Sequence, residues 1–170
     1  MLDIKRFQQS MTAPSRVSLE KACVVIEQNL TEMGEIVAHA SEYSLLSSDT
    51  DQRKLLYLCS YLYDFYILVE ECLLQIARIT DRWIPGSLDW HYRLIRLLQV
   101  PVTDQRPPVL SGNTALLLQD YLVLFINYHH HSSVISAEKL EKMICNLPEV
   151  YTRLEKELLF LNYIFMPGRR

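Results

Sequence analysis

No stretch of eighteen residues in this 170-residue chain is without a charged side chain, which argues against a membrane-spanning helix. The N-terminal residues also lack the apolar core of a secretory signal, since Asp3, Lys5 and Arg6 are followed by Gln8, Gln9 and Ser10. The expectation is a cytoplasmic protein with no membrane partner. Cysteine is sparse: Cys23, Cys59, Cys72 and Cys145 are widely separated and embedded in apolar helical patterns. That spacing suits reduced, buried thiols and fits neither a disulfide framework nor a zinc site. The net charge of −3 gives no basic footprint over the whole surface and weighs against nonspecific duplex binding.

The charge is unevenly distributed. Residues 19–71 hold ten acids against the three bases Lys21, Arg53 and Lys54, whereas residues 78–106 hold Arg78, Arg82, Arg93, Arg96 and Arg106 against Asp81, Asp89 and Asp104. Such arginines either line a cleft for phosphate or are solvated and paired with neighbouring acids.

Apolar residues recur at helical spacing along nearly the whole chain. Leu19, Ala22, Cys23, Ile26, Leu30, Met33, Ile36 and Val37 form one stripe, with Ser18 as its expected cap and an end near Tyr43. After Ser47-Ser48-Asp49-Thr50, a second stripe runs from Leu55 through Leu62, Phe65 and Val69 to about Ile79. Pro85-Gly86 forces a turn, and Ser87 or Asp89 opens a short helix that stops near Pro101. Ser111 caps a further helix whose Leu116, Leu117, Leu118, Tyr121, Leu122, Leu124 and Phe125 are apolar on more than one face, so it is expected to be central and well buried. A last helix begins near Ser136 and is expected to bend at Pro148. The pattern predicts an all-α, up-and-down four-helix bundle with one short accessory helix. It forms a single domain over residues 15–166, with a disordered N-terminus at 1–14 and a flexible tail at 167–170.

The chemistry concentrates where the fourth long helix gives out, at Phe125-Ile126-Asn127-Tyr128-His129-His130-His131-Ser132-Ser133. Imidazole titrates near neutrality, so such a cluster suits proton transfer, metal ligation or simple solvation. Consecutive helical residues project about 100° apart, so the three histidines cannot share one metal, and no metal site is expected. Helix-end imidazoles also satisfy terminal carbonyls, which is the reading adopted for His129 and His130. His91 reads as a packing or hydrogen-bonding residue, and His39 carries no functional reading.

The segments Tyr61-Leu62-Tyr63-Asp64-Phe65-Tyr66, Glu70-Glu71, Ile84-Pro85-Gly86, Trp90-His91-Tyr92-Arg93-Leu94-Ile95 and Arg106-Pro107-Pro108-Val109-Leu110-Ser111, in this order, resemble the HepT-like branch of the HEPN superfamily. The resemblance runs from about Arg53 to Phe160. It implies a dimerising helical bundle and a metal-independent, cofactor-free ribonuclease serving as the toxin of a toxin–antitoxin module, partnered by an MNT-type nucleotidyltransferase antitoxin.

Family members carry an arginine four to six residues before a histidine, and many add a tyrosine two residues after it. Laid on this chain, the arginine falls at Ile126, the histidine at His131 and the tyrosine at Ser133. Only the histidine is kept. Cleavage through the 2′-hydroxyl needs a base, an acid and positive charge on phosphorus, tasks that arginine and histidine share and isoleucine cannot perform. His131 is therefore the catalytic candidate of a degenerate motif, with Asn127, His129, His130, Arg93 and Arg96 as possible supporting residues. The tyrosine is the nucleotidylated position in the family, so Ser132 and Ser133 replace the usual acceptor.

The expected function is a homodimeric HepT-like protein with weak or lost cleavage that acts by binding RNA or a nucleotidyltransferase. Two alternatives stand beside it: an active ribonuclease toxin using His131 with a recruited arginine, Arg93 or Arg96, and a helical adaptor with no nucleic-acid role.

Overall fold

The computed structural model describes residues 15–46, 52–83, 86–103, 106–130 and 136–166. Within them the chain forms five α-helices: α1 (Arg16–Leu46), α2 (Gln52–Ile76), α3 (Trp90–Leu97), α4 (Gly112–His130) and α5 (Ala137–Phe165). The four long helices pack as a bundle in which α1 lies against α2 and α5, and α2 also meets α4. The short α3 sits against α2 and α4.

The long helices bury most of the stripes their spacing announced, with Leu116 of α4 and Phe160 of α5 exposed. Ala22, Cys23, Ile26, Leu30, Met33, Val37 and Ala40 of α1 recur every three or four residues and face Leu58, Leu62, Phe65, Val69 and Ile76 of α2. Leu140, Ile144, Leu147, Leu154 and Leu158 of α5 complete the core. Burying one such side chain contributes about 1.5–3 kcal/mol, so the stripes outweigh any local propensity in holding the bundle together.

Several local expectations are corrected. The cap of α1 is Ser15, whose Oγ accepts the Ser18 N–H at 3.1 Å, so the first helix starts a turn earlier than Ser18 would place it. Leu116 on α4 is 64% exposed, because that helix covers the core with one broad face and turns the other to solvent. Cys145 is exposed, not buried like Cys23 and Cys72. Ser111 and Ser136 do cap α4 and α5, accepting the N–H groups of Thr114 and Lys139 at 3.2 and 3.3 Å. The expectations for residues 1–14 and 167–170 concern segments outside the described residues.

The second helix ends irregularly. It widens into a π-helical turn, Ala77–Asp81, and closes at Arg82 in the left-handed region with φ 50°. Against this end folds the linker after α3. Arg106, with a fully buried guanidinium, donates from Nε and one terminal nitrogen to both carboxylate oxygens of Asp81, at 2.9 and 2.8 Å. The same guanidinium reaches the carbonyls of Leu97, Val100 and Pro107. The amides of Val109 and Leu110 both donate to the Leu98 carbonyl. These bonds press α3 onto α2 and α4, and so fix what the first residues of α3 meet.

Candidate functional site

Three helices converge around Phe125, four residues before His129 on α4. From α2, Tyr63 stacks on the Phe125 ring at 5.2 Å and 14°, and Tyr66 approaches it at 5.2 Å. From α3, His91 meets Phe125 edge-on at 5.4 Å. Tyr128, one turn after Phe125 and 43% exposed, tilts over Tyr63 at 4.8 Å and carries the aromatic cluster to the surface. Aromatic contacts of this geometry add about 0.5–1.5 kcal/mol each beyond buried area.

A polar pair is set into this aromatic junction. Nδ1 of His91 hydrogen-bonds Oε2 of Glu70 on α2, and the two side chains remain 17% and 12% exposed. Trp90 stacks against the same imidazole at 3.8 Å. Tyr66 lies close by, and burial, reinforced by the charge of Glu70, pushes its phenol well above the ordinary tyrosine range, so it stays protonated. Asp64 beside Tyr63 has its carboxyl raised by partial burial.

Ile126, at the position of the missing arginine, is half-buried and packs against the core. Asn127 is half-buried as well. His129 and His130 are the last two residues of α4, and their side chains lie outside the described residues, as do His131, Ser132 and Ser133.

The arginine-rich segment divides. Arg106 is committed to Asp81 and to backbone carbonyls. Arg93 and Arg96 are exposed, and Arg93 donates to the Ser87 hydroxyl at 3.3 Å. They follow His91 by two and five residues, which turns them about 200° and 140° around α3 from the imidazole that meets Phe125. The helix thus points its histidine, and neither arginine, at the junction. Sequence spacing could locate His91 as a hydrogen-bonding residue but not its partner, because Glu70 lies 21 residues away on another helix.

Among the described residues, no group of three or more histidine, cysteine or acidic side chains could hold a metal ion, and no helix is long and apolar enough to cross a membrane. No curated protein and no solved structure matches the chain. A model of the family described as HepT-like protein matches residues 57–163, well over half of the chain, from the second turn of α2 to the last turn of α5.

Proposed function

Because this chain belongs to the HepT-like protein family, we propose that it is a HEPN protein related to ribonuclease toxins whose cleavage has become weak or lost and which acts by binding RNA or a partner. The observation that carries this reading is Ile126. Where the motif has a guanidinium, this chain has an apolar side chain packed against the core. An isoleucine there supplies no charge to phosphorus, and loss of one such electrostatic stabiliser costs about a hundredfold to a thousandfold in rate.

In this reading the protein is a cytoplasmic homodimer, and an MNT-type nucleotidyltransferase is the protein partner to look for. Ser133 stands where the family's modified tyrosine would be, so the partner holds this protein by contact, without the usual tyrosine modification.

The test is cleavage of labelled structured RNA and tRNA in EDTA by the wild type and by the Ile126→Arg and His131→Ala variants. The reading expects little or no product from the wild type and a gain with Ile126→Arg. Vigorous wild-type cleavage abolished by His131→Ala overturns it in favour of an active toxin.

A further inference from the structure

We propose that the cleft between α1 and the end of α5 is the docking site of a protein partner, which inserts a basic side chain, lysine or arginine, from an apolar face. The proposal deepens the reading that the chain acts through a partner, and it rests on that reading.

The cleft is lined by Cys23 and Glu27 of α1, by Leu159, Asn162 and Tyr163 of α5, and by Met166 just beyond that helix. Its volume is about 170 Å³. Pockets that enclose a whole small molecule run to about 300–1,000 Å³, so this one has room for the end of a single side chain.

Asn162 says what that end should carry. It is 7% exposed, and its Nδ2 donates to the Cys23 carbonyl at 3.4 Å. Its Oδ1 is buried and accepts no hydrogen bond from the protein. Burying an acceptor without a donor costs stability, and a leucine would pack at this position without that cost. Glu27, exposed, is the one charged residue of the lining. An amide oxygen and a carboxylate are both acceptors, and lysine and arginine bring donors only.

The surroundings suit a protein that presents such a side chain. Leu159, Phe160, Tyr163 and Ile164 are exposed on the last two turns of α5, and residues 158–166 carry no charge. An apolar strip beside a pocket for one anchoring side chain is the usual anatomy of a protein interface. On the other flank, α1 has no lysine or arginine after Lys21, and its Glu27, Glu32, Glu35 and Glu42 are exposed. That flank attracts a basic entrant and repels phosphate, which favours a protein over RNA as the occupant.

The test titrates the full chain with the peptide acetyl-Ala-Leu-Lys-Leu-Ala-amide, its norleucine analogue and acetyl-lysine methylamide, followed by amide NMR shifts. Wild type, Glu27→Gln and Asn162→Leu are compared, with melting temperature and sedimentation velocity measured alongside. The lysine peptide should shift the amides of Cys23, Glu27, Leu159 and Tyr163 and bind about tenfold more tightly than the norleucine peptide. Asn162→Leu should weaken it by about tenfold without lowering the melting temperature, and the surface change Glu27→Gln by up to about fivefold. No shifts at the cleft, equal affinity for the two peptides, or indifference to both variants overturns the proposal. Acetyl-lysine methylamide binding as tightly as the peptide makes the site one for a free amine and overturns it too. So does a change of oligomeric state in Asn162→Leu, which assigns the cleft to a second copy of this chain. The RNA assay with Ile126→Arg reports on α4 and is independent of these variants. A gain of cleavage there with no peptide binding leaves the proposed function standing and removes only this docking site.

Discussion

Arg106 and Asp81 stand 25 residues apart and form a two-pronged ion pair whose guanidinium is completely buried and whose carboxylate is 6% exposed. The contact sits where α2 unwinds through its π-helical turn and the α3 linker folds back. Of the two roles open to the arginines of residues 78–106, a phosphate cleft or pairing with acids, Arg106 takes the second and is a structural tie.

Breaking this tie on one side should be severe. Arg106→Met leaves the Asp81 carboxylate buried without its partner, and Asp81→Asn does the converse; each should cost about 3–5 kcal/mol in urea unfolding. The double variant Arg106→Met with Asp81→Leu should recover a large part of that loss, since two apolar side chains leave no charge unpaired.

Ile126→Arg must fold for its gain of cleavage to be read. Ile126 is only partly buried, and a long arginine can carry its charged head to water while its stem covers the core. A loss of about 1–2 kcal/mol is expected, visible as a lowered melting temperature with unchanged helical circular dichroism.

Alkaline pH should destabilise the protein. Burial raises the phenols of Tyr66 and Tyr121 well above the ordinary range, and burial followed by the neighbouring Glu155 pushes Tyr151 up to about 12. Raised folded-state values mean that the stabilisation is fully present below the unfolded value of about 10 and is lost as pH rises through the folded values. Thermal melts should be flat from neutrality to about pH 9 and fall above about pH 10, with these tyrosines ionising late in an ultraviolet titration.

Thiol labelling should be ordered by position. Cys145 is exposed on α5 and should react first. Cys72 is pushed up to about 12 by burial, with the Asn29 hydrogen bond opposing and the Glu71 charge adding to it, and Cys59 is raised by burial. Mass spectrometry after brief labelling at neutral pH should find one modified cysteine, with Cys23 and Cys72 reacting only on unfolding.

Much of the bundle is legible residue by residue. Ile26, Leu30, Met33 and Val37, or Leu58, Leu62 and Phe65, mark a buried face because a helix returns to the same side every three or four residues. Ser111 and Ser136 declare helix starts, since a hydroxyl just before an apolar run takes an orphan N–H. Ser18 misled because Ser15, three residues earlier, offers the same chemistry. The exposure of Leu116 could not be read, because its outward direction depends on which side of α4 the other helices occupy.

The covalent order by itself settles that the chain makes long amphipathic helices and that isoleucine, not arginine, precedes His131 at the motif spacing. Both are local facts, carried by periodicity and position along one strand of chain. Tertiary structure alone decided that Arg106 is buried against Asp81, that Arg93 and Arg96 turn away from the junction, and that Glu70 meets His91. Those pairings join separate elements, and side chains more than twenty residues apart meet only where the crossing of α2, α3 and α4 places them.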